Sequence, residues 1–284
     1  MRRRVWCETL PYDEVARPAL LAALRARGVA LALAVRPPEL PALAAAAARI
    51  VDAGVPLALW PMIDDADGRW VSVASAATFI AFADRALAVA PAGVELVLDL
   101  EPPLAQLAAW RGGRLTFEGR PTRDDYRAGR AALIAAVTRW RAARPVSTAV
   151  MPFVVAEVAG EWVQRLLGTP VTALPVDRHS VMAYTSLYEG WSRGLVGRRR
   201  AEVLLGVTAR LARARLGAAA ALSLGCVSTG ALGDEPAYRG PHELAADVAI
   251  ARAAGVDDLT AFDLGGMVRR GPVEAWLDAL AGPA

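Results

Sequence analysis

The 284-residue chain contains no lysine and no asparagine, so all 32 of its basic residues are arginine. Schiff-base chemistry and a phosphate-binding loop built around lysine are therefore excluded. Asn-linked glycosylation has no acceptor. Two histidines are too few for a His-rich zinc site, and neither falls where a nucleophile–His–acid triad would place it. His179 precedes the sixth strand-like run, and His242 follows Pro241 in the first turn of a helix. Only two cysteines occur, Cys7 and Cys226. Both lie in apolar strand-like runs and read as buried free thiols. Ser228 and Thr229 have no base near them in sequence.

Long apolar runs are also missing. The start, Met1–Arg4 followed by Val-Trp-Cys-Glu, lacks the apolar core of a signal peptide, and charges interrupt every stretch long enough to span a bilayer. A cytoplasmic location is the expectation. Acidic residues number 29 against the 32 basic ones, with no basic cluster on one predicted face, so neither nucleic acid nor a membrane is the expected partner. Residues of hydrophobic type make up 55% of the chain, enough for a large core and against disorder.

Eight short strand-like runs are each followed by an amphipathic helical stretch. They are Val5–Glu8, Val29–Arg36, Val55–Trp60, Val94–Glu101, Val146–Met151, Ser180–Thr185, Ala220–Cys226 and Leu259–Asp263. Eight β–α units predict one domain over residues 1–284, an α/β (β/α)8 TIM barrel. Gly28 and Gly54 stand where a helix turns into the next strand, and Pro145 stops a long helix opened by Asp124 and Asp125. An open doubly wound sheet would need a glycine-rich turn after the first strand. The residues there are Glu8-Thr9-Leu10-Pro11. Of the longer loops that follow the strands, Pro102–Arg123 contains Arg111-Gly-Gly-Arg114 and reads as a hairpin over the barrel mouth, and Ser186–Gly197 carries Tyr188, Glu189, Trp191 and Arg193.

Barrels of this type carry their chemistry at the C-terminal ends of the strands. The sharpest signal there is Val94-Glu-Leu-Val-Leu-Asp99-Leu-Glu101-Pro-Pro103. Alternation puts Asp99 and Glu101 on one side, about 6.6 Å apart along the strand, both facing the barrel mouth. Two close carboxylates in an apolar setting separate their pKa values, so that one stays an anion while the other donates a proton. Glu95 shares their parity lower down and reads as half of a structural ion pair.

Asp99-Leu-Glu101 on the fourth run, with Met182-Ala-Tyr184 on the sixth, resembles the glycoside hydrolase family 18 barrel of chitinases and endo-N-acetylglucosaminidases. That family carries Asp-x-x-Asp-x-Asp-x-Glu on strand four and Met-x-Tyr-Asp on strand six. The resemblance implies Glu101 as general acid, Asp99 as the carboxylate that orients the substrate's N-acetyl group, and Tyr184 as a contact to the same group. Val94 and Val97 stand where the family has its two earlier Asp residues, Thr185 follows the Tyr in place of Asp, and the eighth run ends Ala261-Phe262-Asp263 rather than in Trp.

Further candidates for substrate binding are Glu8, Arg36, Trp60, Asp64, Trp191 and Asp263. Trp60, Trp70 and Trp191 lie in or beside upper loops, where an aromatic face can stack on a sugar ring, and Trp60 and Trp191 read equally well as core residues. Trp6, Trp110, Trp140, Trp162 and Trp276 read as packing residues. Arg36 either grips an anionic substrate or neutralises Glu8. The leading expectation is a glycoside hydrolase acting on an oligosaccharide or glycoconjugate without a cofactor. One alternative is a Mg²⁺- or Mn²⁺-dependent lyase, isomerase or phosphodiesterase using Glu8, Asp64, Asp99, Glu101 and Asp263 as oxygen ligands. Another is a barrel that binds sugar without turnover.

Overall fold

A computed structural model describes residues 2–114, 120–158, 160–192, 194–230 and 232–282. Eight parallel strands close in sequence order into one barrel: β1 (Arg3–Cys7), β2 (Val29–Val35), β3 (Leu57–Pro61), β4 (Glu95–Leu100), β5 (Val146–Val150), β6 (Arg178–Met182), β7 (Ala220–Gly225) and β8 (Leu259–Phe262). Closure is made at β1, where Arg3 pairs with Val29 on one side and with Leu259 on the other. The predicted (β/α)8 TIM barrel is the observed fold.

The strand sequences explain how the barrel fills. In β2 (Val-Ala-Leu-Ala-Leu-Ala-Val) and β3 (Leu-Ala-Leu-Trp-Pro), leucines face outward against the helices and alanines face inward. The small Ala32, Ala34, Ala58 and Ala149 leave the interior open to Trp6 and Trp60, whose ring centroids lie 4.6 Å apart at 55°. Large side chains opposite small ones pack the interior. Below them Glu95 accepts from Arg4 Nη2 at 2.6 Å, Arg178 Nη2 at 2.7 Å and Ser147 Oγ at 2.5 Å, which is the ion pair expected of it. Arg178 also reaches Asp258 at 2.8 Å. This network accounts for the early start of β6. Arg178 and His179 look like loop residues in sequence, but Arg178 finds its counter-charges inside the barrel floor and His179 points outward to Thr148 Oγ1 at 2.8 Å.

The helical signals are largely realised. Thr122 and Asp125 form a capping box at the start of Arg123–Arg141, and Pro241 opens Pro241–Ala253. Gly28 and Gly54 adopt positive φ of 61° and 77° in the turns that lead into β2 and towards β3. Pro18 divides the first helical stretch into Tyr12–Val15 and Pro18–Ala26. The hairpin expected over Pro102–Arg123 is replaced by a helix, Leu104–Arg111, ending at Gly112. Leu-Ala-Gln-Leu-Ala-Ala-Trp-Arg is made of strong helix formers behind Pro103, and this outweighs the turn signal of Arg111-Gly-Gly-Arg114. The far arm of that expected hairpin, residues 115–119, lies outside the described residues, as does Arg193. Among the described residues no helix is long and apolar enough to cross a membrane.

Candidate active site at the barrel mouth

A cavity of about 460 Å³ opens at the C-terminal ends of the strands. Its floor combines Trp6, Trp60, Ala149, Met182 and Phe262 from the barrel interior with Glu8, Asp99, Glu101 and Tyr184 from the strand ends. A broader depression of about 1080 Å³ lies at the opposite end of the barrel among Arg2, Arg141, Arg144, Arg178 and Arg213, far from the acid pair. The polar groups that can move protons converge at the mouth.

Asp99 and Glu101 project into the cavity as the strand parity requires. Asp99 is only 3% exposed, and its Oδ1 has no hydrogen-bond partner within the protein. Burial first, then the negative charge of Glu8, pushes the Asp99 carboxyl above the usual carboxylate range. Burial and the adjacent Asp99 raise Glu101 further, and a hydrogen bond between them favours the proton on Glu101 and the anion on Asp99. The two carboxyls titrate as a coupled pair, with Glu101 the one that holds its proton more tightly and Asp99, raised to about 7, the one that ionises first. Tyr184 stands beside them. Its hydroxyl bonds to Ser223 Oγ at 3.3 Å, and the same oxygen accepts the Trp6 indole N–H at 2.6 Å. Burial raises the phenol, which keeps it a hydrogen-bond donor.

Glu8 is the third acid of the floor, buried and held by two guanidiniums: Arg69 at 2.8 Å and Arg36 at 3.1 Å. Of the two readings of Arg36, neutralisation of Glu8 is the observed contact, and Arg36 does not line the cavity. Arg69 was not legible in sequence. It follows Gly68 in the loop after β3, takes a positive φ of 64°, and ties Glu8 to Asp65 at 2.8 Å. Its only sequence signal is its position beside Trp70 on an upper loop.

Two expected substrate contacts lie elsewhere. Asp64 is exposed and outside the cavity lining, at the N-terminal end of the single turn Asp65–Asp67. Asp263 is fully buried. It accepts from Gly266 N at 3.0 Å and Ser228 Oγ at 2.5 Å, closing the start of the helix Leu264–Arg270 and leaving the cavity to Phe262. The ring of oxygen ligands needed for a metal is thus dispersed. Among the described residues no three His, Cys, Asp or Glu side chains converge as a metal-binding group. The donor set does not fit Mg²⁺ or Mn²⁺, because Glu8 is already engaged by two cations and Asp263 serves a helix cap.

The aromatic expectation is partly redistributed. Trp60, Trp70 and Trp191 line the cavity, Trp191 being 41% exposed at the rim. Trp6 and Trp110, read as packing residues, line it too, whereas Trp140 and Trp276 are buried in packing and Trp162 is exposed on the surface. Glu235 was also missed. It reaches the cavity from the loop after β7, where its carboxylate accepts from Gly230 N at 2.9 Å and Leu232 N at 2.8 Å. Cys226 lines the floor as a free thiol, and burial raises its pKa, so it is no nucleophile.

No family model matches this sequence, and no curated protein matches it. Solved structures do. The glycoside hydrolase domain of PgaB (BpsB) from Bordetella bronchiseptica superposes with a TM-score of 0.59 at 12% identity, over 100% of both chains. A class V chitinase from Nicotiana tobaccum gives 0.54 at 13% identity, over 100% of this chain and 99% of that one. A D-allulose 3-epimerase from Methylomonas sp., in complex with D-allulose, gives 0.52 at 12% identity, over 99% and 94%. The class defined by these likenesses is the (β/α)8 barrel, a fold this chain shares with the named glycoside hydrolase domain, chitinase and epimerase.

Proposed function

We propose that the protein is a glycoside hydrolase. The observation that carries this reading is the pair of adjacent carboxyls, Asp99 and Glu101, at the base of an aromatic-lined cavity beside Tyr184. Glycosidic cleavage needs a proton for the departing oxygen and a negative charge facing the oxocarbenium-like carbon, delivered by two carboxyl groups of opposite protonation. Glu101 gives its proton to the glycosidic oxygen as the C1–O bond breaks, and becomes a carboxylate. That carboxylate then takes a proton from the water whose oxygen bonds to C1, which restores the acid. Asp99, the first of the pair to ionise, stabilises the positive charge as its carboxylate. The Tyr184 hydroxyl donates a hydrogen bond to the substrate atom beside the anomeric centre.

The neighbours named as a glycoside hydrolase domain and a chitinase support this reading. The likeness to a D-allulose 3-epimerase favours isomerisation of a free sugar as a second reading; the carboxylate-metal version of it is disfavoured because Asp64 lies outside the cavity and Asp263 caps a helix. The decisive experiment is Glu101→Gln on a panel of chromogenic glycosides. A loss of about 10²–10⁴ in kcat with the fold intact supports the acid role. Turnover at the wild-type rate removes it, and sugar binding without hydrolysis by the wild-type protein assigns the barrel to recognition instead.

A further inference from the structure

The wall above the acid pair is unusually poor in polar partners. It is built by the helix Leu104–Arg111, the 3-10 turn Pro152–Ala156 after β5 and the helix Thr185–Trp191 after β6. These contribute Leu107, Trp110, Phe153, Leu187, Tyr188 and Trp191 to the cavity. Phe153 is 58% exposed, a large apolar ring left in solvent at the rim. The polar groups of this wall are committed elsewhere. Ser192 Oγ donates to Glu189 O and Val196 O and accepts from Val196 N, the Tyr188 hydroxyl bonds to Thr208, and Arg111 pairs with Asp234.

A second sugar ring laid on this wall would find the side chains of Ser192, Tyr188 and Arg111 already engaged, so the wall would serve its C–H faces and give its hydroxyls no specific partner. An apolar group placed there loses water and leaves no hydrogen bond unmade. We infer that the substrate is a glycoside with a single sugar at the acid pair and an extended apolar aglycone on the wall of Leu107, Phe153, Leu187 and Trp191. This rests on the proposed hydrolase reading and specifies its substrate class. The reaction would release a free sugar and an apolar alcohol, the aglycone oxygen taking its proton from Glu101.

An alkyl series tests it, because methyl, butyl, hexyl and octyl glycosides share nearly the same leaving-group chemistry and differ only in apolar area. The series is run below the micellar concentration with glucosides, galactosides and N-acetylglucosaminides. On the cleaved sugar, kcat/KM should rise about 3- to 4-fold for each added CH₂ until the wall is covered. In Leu187→Ser the rise from hexyl to octyl should flatten. Equal kcat/KM for methyl and octyl glycosides, or faster cleavage of oligosaccharides than of octyl glycosides, overturns the inference while the hydrolase reading stands. Tryptophan fluorescence titration of Glu101→Gln with octyl against methyl glycoside reads recognition separately from turnover. Tighter binding of the octyl compound with no cleavage by the wild-type protein sinks the hydrolase reading and keeps the apolar site. Equal or absent binding of both sinks the site.

Discussion

Two side chains at opposite ends of the barrel carry opposite pH signatures. Glu101 is raised by burial and by Asp99, so the folded protein binds its proton more tightly than the unfolded chain does. Its contribution is intact below the ordinary Glu range and is lost as pH rises through the higher folded value. Glu101→Gln should therefore gain Tm relative to wild type as pH is raised from 5 to 8, read by thermal melts across that range. His179 behaves in reverse. Burial lowers it from 6.5 to about 4, so the stability present above pH 6.5 is lost as pH falls towards 4. The shift corresponds to about 3 kcal/mol. His179→Gln keeps a partner for Thr148 and removes the titration. Urea unfolding at pH 7 and pH 4 should show the wild type losing that amount relative to the variant. A constant difference would mean that the imidazole titrates normally.

At the scale of elements, the cavity depends on how the connections after the strands pack on one another. Thr185–Trp191 lies so close to the loop after β7 that a Cβ built on Gly190 would meet Pro236 Cγ at 2.0 Å. That contact lies between two rigid parts, so Gly190→Ala must push the helix or the loop aside. Overpacking of this kind costs about 1–3 kcal/mol. The shift would also move Tyr188 and Trp191 on one side and Glu235 on the other. The expected result is a lower Tm together with a raised KM, and a raised KM without loss of Tm would show the loop yielding freely. The hairpin that became Leu104–Arg111 belongs to this scale as well: local composition sets the helix, and the helix supplies Leu107 and Trp110 to the wall.

For the whole molecule, the floor network is the tie between strands distant in sequence. Glu95 on β4 joins Arg4 on β1, Ser147 on β5 and Arg178 on β6 inside the barrel. Glu95→Gln would leave two buried guanidiniums short of a counter-charge, with Arg178 keeping Asp258 alone. Breaking a buried pair by removing one partner costs about 3–5 kcal/mol. Denaturant unfolding should show that loss while kcat, set at the other end of the strands, changes little. An unchanged midpoint would mean that the network is solvated enough to be dispensable.

The sequence by itself determined the barrel. Eight short strand-like runs, each followed by an amphipathic helical stretch, point to a closed parallel barrel, and the parity of β4 placed Asp99 and Glu101 on the inner face. The free thiols, the Glu95 ion pair and the helix ends at Gly28 and Gly54 were legible for the same reason: each depends on neighbours a few residues away or on strand parity. Tertiary structure decided what parity leaves open. It took Asp263 into a helix cap, left Asp64 in solvent, gave Arg36 to Glu8, and brought Arg69 and Glu235 to the site from loops whose course no local pattern fixes. A strand end fixes which way a side chain points, but whether it meets a substrate, a cation or a backbone N–H depends on loops that close over it from elsewhere in the chain.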